Sequence, residues 1–157
     1  MGMRSLLAIA VATGALTGCL RSAPPCPQAD FGLPAADAGC FIVEDGRLLV
    51  VRDQTGKLSI PGGGKEAGES PQCTAHRETW EETGLDVTPV ELRGVFDNGF
   101  HLFRCELHAN SGAIDPPLRF EIDEAFWLAP ADFDRHQWRY PEQARSMAQW
   151  IDHERVP

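Results

Sequence analysis

The sequence has little positive charge. Its 14 lysine and arginine residues stand against 23 aspartates and glutamates, which gives a formal net charge of −9. No part of the chain gathers basic residues into a stripe, so binding to a nucleic-acid backbone is not expected. An acidic protein that handles an anionic substrate needs a cation between the two. The composition therefore directs the search toward carboxylates that are placed to hold a cation.

The sequence also lacks an apolar run long enough to cross a bilayer as a helix. Residues 5–16 (SLLAIAVATGAL) follow the positive charge of Arg4 and have the length of the apolar region of a secretion signal. They run into residues 16–19 (LTGC), which resemble the lipobox of bacterial lipoproteins. This resemblance implies removal of residues 1–18, lipid attachment at Cys19 and a place in the bacterial cell envelope, at the periplasmic face of the outer membrane. An ordinary signal peptide or a buried apolar helix is the alternative.

The region after Cys19 lacks any hydrophobic periodicity. Residues 20–39 (LRSAPPCPQADFGLPAADAG) are rich in proline, alanine and aspartate, which is typical of a linker. We therefore predict a signal peptide over residues 1–18, a tether over residues 19–36 and one domain over residues 37–157. About 120 residues are enough for a single modest core.

Zinc-type cysteine spacing is missing as well. Four cysteines remain beyond the lipobox, and none of them form a C-x-x-C pair: Cys26, Cys40, Cys73 and Cys105. In the cytosol they would be unpaired small hydrophobic residues. In an oxidising compartment they could form two disulfides, for which three connectivities exist. The sequence does not choose between these connectivities.

The remaining chain alternates strand and helix signals. Ser70 and Pro71 are favoured at the first positions of a helix, which should end near Thr83 because Gly84 follows. A second helix is expected from Pro141 to about residue 153, with one apolar face. A hairpin is predicted over residues 39–52, with its turn at residues 44–46, and a second hairpin joins strands 86–96 and 100–108 through a turn at residues 97–99. Further strands are predicted over residues 57–61 and 119–128. This order predicts an α/β fold with a mixed β-sheet sandwiched between helices.

One sequence motif, in residues 63–85, indicates a catalytic function. Residues 63–85 read GGKEAGESPQCTAHRETWEETGL and resemble the Nudix box over its whole length of 23 residues. All fixed glycine and polar positions of the box are present, and the one soft departure is Thr79, where an aliphatic residue is common. The resemblance implies the Nudix fold for the domain. It also implies a hydrolase that cleaves a diphosphate with the help of a metal ion.

The spacing of the glutamates supports the same chemistry independently. Glu78, Glu81 and Glu82 stand at i, i+3 and i+4, so a helix presents their carboxylates on one face. Like charges at this spacing repel each other until a divalent cation lies between them. Hard oxygen ligands suit Mg²⁺, with Mn²⁺ as the alternative. By itself, R-E-x-x-E-E is more often a solvated surface helix, and it is the complete box that favours a metal site.

The resemblance assigns further roles in the site. Glu78, Glu82 and Glu81 are expected to bind the metal together with the backbone carbonyl of Gly62. Glu81 is also a candidate for the catalysis itself. Further assignments are an orienting pair that holds the loop against the helix, Arg77 and Glu69, and two glycines that admit the substrate, Gly63 and Gly64.

The catalytic base is less well defined by the sequence. Family members often add a carboxylate from outside the box, and the candidates here lie in residues 119–127 (RFEIDEAFW). We favour Glu121 as the base and keep Glu124 as the alternative. Strand alternation groups Glu121 with Asp123 on one face and leaves Glu124 on the other. Each of these residues is also compatible with a plain solvated strand.

The substrate stays open at this stage. The proline that ADP-ribose pyrophosphatases tend to carry after the box is absent from residues 98–103, and the single tyrosine, Tyr140, is far from the box. Arg139 and Tyr140 could line a substrate pocket, but we do not include them in the predicted site.

Location narrows the choice of substrate and partners. An envelope enzyme is expected to meet a prenyl diphosphate carrier, a nucleotide sugar or a scavenged nucleotide. The expected partners are therefore a small-molecule diphosphate, the membrane through the lipid anchor and, as in many Nudix proteins, a second copy in a homodimer. The competing hypothesis is a catalytically silent Nudix-fold module that binds a diphosphate or a partner protein.

Overall fold

The structure, a computed structural model, describes residues 21–27, 32–118 and 120–154. The predicted signal segment and Cys19 lie outside the described residues. Within the described part, no helix combines the length and the apolar character that crossing a membrane requires. The elements are β1 Ala38–Phe41, β2 Val43–Glu44, β3 Arg47–Asp53, β4 Leu58–Ser59, β5 Gly62–Gly63, α1 Pro71–Thr83, β6 Val87–Val95, β7 His101–Leu107, β8 Ile122–Leu128, a 3₁₀ helix Pro130–Arg135 and α2 Pro141–Glu154.

Two four-stranded sheets form the centre of the fold. The first is mixed and has the order β5-β1-β7-β6, in which β1 runs parallel to β7 and the other pairs are antiparallel. The second is antiparallel, with β3 pairing β2, β4 and β8. The predicted hairpin of residues 39–52 is therefore confirmed only for β2 and β3. Its first segment, β1, pairs within the other sheet.

Strands β1 and β3 are buried on both faces, which explains their continuous apolar sequences. On one side, Cys40 and Ile42 of β1 and Leu49 of β3 pack with Ala75 of α1. On the other side, a second cluster joins strand residues to α2; its members include Phe41, Leu48, Val50, Met147 and Ile151. The predicted arrangement of mixed sheet between helices is confirmed.

Helix α1 begins and ends where its terminal residues predict. The Ser70 side chain accepts a hydrogen bond from the Cys73 backbone N–H, and Pro71 occupies the first helical turn. Gly84 ends the helix with a φ of 73°, a left-handed conformation that glycine adopts without steric cost. Thr79 is fully buried, and its hydroxyl donates to the Ala75 carbonyl oxygen at 2.7 Å. Because its polar group is satisfied inside the helix, threonine is tolerated where the box usually has an aliphatic residue.

Residues 21–27, which we call the strap, lie along the outer side of α1. The Arg21 guanidinium lies 5.5 Å from the centre of the Trp80 ring. The Pro24 carbonyl oxygen is 3.1 Å from Nε2 of the buried His76. Further along, a disulfide joins Cys26 and Cys73. The strap therefore runs antiparallel to α1 and contacts the helix at Trp80, His76 and Cys73, which lie about one turn apart.

The second disulfide joins Cys40 of β1 to Cys105 of β7 and lies inside the core. The structure thus selects one of the three connectivities that the sequence leaves open.

The strand prediction needs smaller corrections. Strand β8 begins at Ile122, three residues after the predicted start. The 3₁₀ helix Pro130–Arg135 was not predicted, because six residues give no helical periodicity to detect.

Candidate active site

The glycine loop and α1 together form one wall of an open cleft of about 560 Å³, which we call the carboxylate cleft. The β5 segment lies so close to α1 on one side and to β1 on the other that side chains would not fit. A Cβ atom on Gly63 would lie only 2.5 Å from Oε2 of Glu78, and a Cβ on Gly62 would lie 2.6 Å from the Gly39 Cα. Gly64 has open space around it. The loop thus leaves room for the Glu78 carboxylate at the point where β5 meets the helix.

The structure brings the predicted carboxylates into this cleft. Glu78, Glu81 and Glu82 of α1 line it, and Glu121 lines it from the segment before β8. Glu82 Oε2 accepts a hydrogen bond from the Gly62 backbone N–H at 2.9 Å, which joins the loop to the helix. Glu124 is placed differently: its carboxylate pairs with Arg52 at 3.3 Å and is absent from the cleft lining. Of the two candidate bases, only Glu121 reaches the cleft.

Burial and mutual repulsion disturb two of these carboxylates. Burial raises the pKa of Glu78 to about 7, and the charges of Glu81 and Glu121 add to the rise even though Arg77 opposes it. Burial also raises the pKa of Glu82 to about 8, with Glu78 and Glu121 contributing. Without a cation, the cleft therefore retains protons near neutral pH, which is typical of like charges held together for a function.

Arg77 and Glu69 close the loop against the helix, as the resemblance implies. Two guanidinium nitrogens of Arg77 donate to the two Glu69 carboxylate oxygens, each at 3.0 Å. The Arg77 Nη2 atom also donates to the Gly64 carbonyl oxygen at 2.7 Å. Burial alone would raise the pKa of Glu69, but the hydrogen bonds from Arg77, the Glu66 N–H and Thr74 hold it below its usual value. This paired contact fixes both ends of the loop.

The same arginine contacts two of the cleft carboxylates. Its Nη1 atom donates to Glu78 Oε1 and to Glu81 Oε2, both at 2.9 Å. Across the described ranges, no three histidine, cysteine, aspartate or glutamate side chains already form a ready-made metal-ligand group. The second oxygens of Glu78 and Glu81 are not used by Arg77. The donor set is nevertheless one of hard oxygens, which Mg²⁺ prefers.

A smaller cavity of about 210 Å³, which we call the side pocket, adjoins the cleft. Gly62, Gly63, Gly64, Ser59 and Arg139 line both spaces. The sequence analysis left Arg139 and Tyr140 out of the site, but the structure places both at this pocket. It also adds Phe100, Asn98 and Gln143, which had not been singled out. For Gln143 a signal existed: it lies four residues before Met147, on the predicted apolar face of α2, where a polar residue is unexpected.

Sequence comparison finds similar proteins among known hydrolase relatives and their homologues. A "MutT-like protein" of Streptomyces ambofaciens is 38% identical over 99 residues, which are 59% of this chain and 62% of that protein. A "Putative ADP-ribose pyrophosphatase YjhB" of Bacillus subtilis is 36% identical over 72 residues, 45% of this chain and 35% of that protein. The chain thus spans less than two thirds of the length of each of these relatives.

Solved structures show the same fold. The crystal structure of an ADP-ribose pyrophosphatase from Streptococcus suis matches with a TM-score of 0.66 at 21% identity, covering 79% of this chain and 94% of that one. A model of the NUDIX domain matches residues 33–151, well over half of the chain. On the strength of this match, with the Nudix box and its carboxylates in place, the chain belongs to the Nudix family.

Proposed function

We propose that the protein hydrolyses a phosphoanhydride bond of a small-molecule diphosphate in the carboxylate cleft, with Mg²⁺ as cofactor and Mn²⁺ as the alternative. One observation carries the proposal. The loop glycines and α1 bring Glu78, Glu81 and Glu82 into one cleft with Glu121, and burial raises the pKa of Glu78 to about 7 and that of Glu82 to about 8. Such a cluster is unfavourable when charged and becomes favourable around a divalent cation.

The residues present fit a magnesium ion. Glu78, Glu82 and Glu81 would hold it, together with the Gly62 carbonyl oxygen. When bound, the ion supplies neutralisation of phosphate charge and a lowered pKa of coordinated water. Gly63 and Gly64 leave the loop open, so that a phosphate can approach the backbone without side-chain obstruction.

The chain's own groups then position and deprotonate the nucleophile. Among the described residues, Glu121 has no ion-pair partner, and it lines the cleft together with the α1 carboxylates. We assign it the proton of the attacking water. The water oxygen bonds to one phosphorus, the bridging P–O bond breaks, and the departing phosphate keeps the electron pair. Arg77 and Glu69 hold the loop in register with the helix throughout.

Turnover with a matched pair of variants tests the proposal. The protein is incubated with Mg²⁺ and a panel of nucleotide sugars, dinucleotides, nucleoside triphosphates and prenyl diphosphates, and released phosphate or pyrophosphate is measured. We expect turnover of at least one class, lost with chelator and in Glu82→Gln. The exposed Glu142 lies outside the cleft, so Glu142→Gln should keep wild-type turnover. Turnover that survives both the chelator and Glu82→Gln would contradict the assignment of the cleft.

The silent binding module makes the opposite prediction. It requires diphosphate binding without turnover on any member of the panel, and it requires Glu82→Gln to leave the biological role of the protein unchanged. The repelling carboxylates argue against it, because a module that performs no chemistry gains nothing from them. Calorimetric titration of Mg²⁺ into wild type and Glu82→Gln separates metal binding from turnover.

We further propose that the protein acts in the bacterial cell envelope, anchored by a lipid on Cys19. The lipobox-like residues 16–19 support this location, as do the two disulfides, which persist in oxidising compartments. Fractionation of cells that express wild type or Cys19→Ala tests the proposal. Wild type should follow the membranes, and the variant should lose this association. Recovery of wild type in the soluble cytosolic fraction with free thiols would overturn the envelope location.

A further inference from the structure

The backbone around the proposed base, Glu121, is held by neighbouring parts of the fold. Directly after it, Ile122 begins β8 and pairs with Asp53 of β3. Directly before it, the Phe120 carbonyl oxygen accepts a hydrogen bond from the Gln54 side chain. Both contacts come from β3 and the turn that follows it, whereas the other cleft carboxylates belong to α1. The position of Glu121 relative to α1 therefore depends also on the chain further upstream.

Residues 115–118, which we call the cap segment, join that upstream chain to the end of α1. The Asp115 backbone N–H donates to the Thr83 carbonyl oxygen at 2.9 Å. The Leu118 N–H donates to the Glu81 carbonyl oxygen at 3.4 Å. The last carbonyl groups of a helix have no partners within the helix, and the cap segment supplies donors to two of them. It thus ties the chain before the base to the helix that carries the metal-binding glutamates.

Arg21 of the strap contacts the cap segment and the helix from outside. Its Nη1 atom donates to Asp115 Oδ2 at 2.7 Å, and its guanidinium lies over the Trp80 ring of α1. A Cβ atom on Gly84 would collide with the Asp115 carbonyl oxygen, so the cap segment is in close contact with the helix end. A single arginine side chain therefore joins the two elements whose relative position matters for the base.

The other contacts of the strap keep Arg21 in place. The Pro24 carbonyl oxygen lies 3.1 Å from His76 Nε2, and the disulfide joins Cys26 to Cys73. Both side chains of the arginine–aspartate pair are about half exposed, and such a pair contributes little where ordering the side chains offsets the attraction. Here the disulfide fixes the strap five residues away from Arg21. The arginine is therefore ordered at a lower entropic cost than a free surface residue.

We propose that Arg21 is a positioning residue for the proposed base. Through Asp115 it holds the cap segment on the end of α1, and the cap segment sets where Glu121 lies relative to the glutamates of that helix. Arg21 itself lines neither the cleft nor the side pocket. The inference rests on the proposed function, in which Glu121 takes the proton of the attacking water. It gives the strap a part in catalysis in addition to its part in stability.

Steady-state kinetics of the full chain tests the proposal. On the substrate class that the panel identifies, Arg21→Gln should lower kcat about fivefold, the size of effect that one surface ion pair can carry. KM and the Mg²⁺ affinity should stay within about twofold, since the metal-binding carboxylates keep their places. Arg135→Gln is the matched control, because it removes a 2.6 Å surface pair with Asp132 and neither residue lines the cleft. Wild-type kcat in Arg21→Gln, or an equal fall in Arg135→Gln, would overturn the proposal.

A double-mutant cycle separates positioning of the base from a general effect on the fold. If Arg21 acts through Glu121, Arg21→Gln should cause no further fall in the residual kcat of Glu121→Gln. The same fivefold fall in both backgrounds would show that Arg21 acts elsewhere, and the proposal would fail. Wild-type kcat in Glu121→Gln would refute the base and this inference together, and would leave the metal-dependent diphosphatase standing.

The disulfide provides a second cycle. In the variant with both Cys26→Ala and Cys73→Ala the strap is no longer fixed to α1 by a covalent bond. The effect of Arg21→Gln on kcat should then shrink to less than about twofold. An undiminished fivefold effect would contradict the argument that the fixed strap holds the arginine in place.

Amide hydrogen exchange measures the same contact without any substrate. Exchange at Asp115 and Leu118 should be at least about threefold faster in Arg21→Gln than in wild type. Exchange at Leu49 in β3 should stay unchanged, which excludes a general loss of stability. Unchanged exchange at both cap-segment amides would overturn the inference even if the diphosphatase is active. Absence of metal-dependent turnover of any kind would instead count against the proposed function and would reduce Arg21 to a structural role.

Discussion

Replacing Gly63 by alanine should disable the site while leaving the fold intact. The added methyl group would lie 2.5 Å to 2.7 Å from the carboxylate atoms of Glu78. Ordinary contacts between heavy atoms lie near ~3.5 Å, so the carboxylate has to withdraw by about 1 Å. A displacement of that size at a reacting centre typically lowers the rate by about 100-fold. The backbone at Gly63 is not left-handed, so alanine introduces no conformational strain there.

A glycine outside the site provides the control. A Cβ on Gly94 of β6 meets nothing within 4 Å, and Gly94 lines neither the cleft nor the side pocket, so Gly94→Ala should change kcat/KM by no more than about threefold. The assay compares kcat/KM over a range of Mg²⁺ concentrations, Mn²⁺ affinity by calorimetry and thermal unfolding for the two variants. Gly63→Ala should lose turnover and metal affinity together at a nearly unchanged Tm. Wild-type turnover in Gly63→Ala would refute the reasoning, as would equal damage in both variants.

Three further predictions concern charge, cross-links and the loop. In metal-free protein the pKa values of Glu78 and Glu82 are raised, so the folded state keeps protons that the unfolded chain releases above about pH 4.5. The stability that these two carboxyl groups contribute is therefore fully present below about pH 4.5. It is lost as the pH rises to about 8. Thermal unfolding measured against pH should show this loss of stability. The loss should be absent from the variant with both Glu78→Gln and Glu82→Gln, and from wild type in saturating Mg²⁺. The same pH dependence in wild type and variant would contradict the prediction. Replacing Cys40 and Cys105 by alanine removes a cross-link between residues 65 apart and should lower the free energy of unfolding in urea by about 4 kcal/mol, with an unchanged midpoint as the contrary result. Arg77→Lys keeps the charge but loses the paired hydrogen bonds to the loop, so kcat/KM should fall about 10- to 100-fold; a fall smaller than about threefold would show that charge alone suffices.

Local signals predicted the helices and the cleft carboxylates well. The end residues Ser70, Pro71 and Gly84 fix α1 through contacts within a few positions of the chain. The i, i+3, i+4 spacing of the glutamates places them on one face regardless of the rest of the fold. Such features depend on neighbouring residues only, and the sequence contains all the information that they need.

Pairing over long distances could not be predicted in the same way. Strand β1 pairs with β7 in parallel across about 60 residues of intervening chain, and no residue of either strand specifies the other. The cysteine connectivity follows from that pairing, because Cys40 and Cys105 lie on these two strands. The side pocket had the same limitation, since its residues come from the β6–β7 turn, β4 and the start of α2.

If Cys19 carries a lipid, as we propose, the docked strap limits how far the domain can move from the membrane. If residues 19–36 formed a free linker, a lipid on Cys19 would allow the domain a radius of about 60 Å. The strap contacts α1 from Arg21 to the disulfide at Cys26, so under the proposed lipid attachment only Leu20 separates the lipid-bearing Cys19 from the folded surface. Two residue steps span at most about 7 Å. An enzyme held so close to its anchor would encounter substrates at the membrane surface and would not reach substrates deeper in the surrounding compartment.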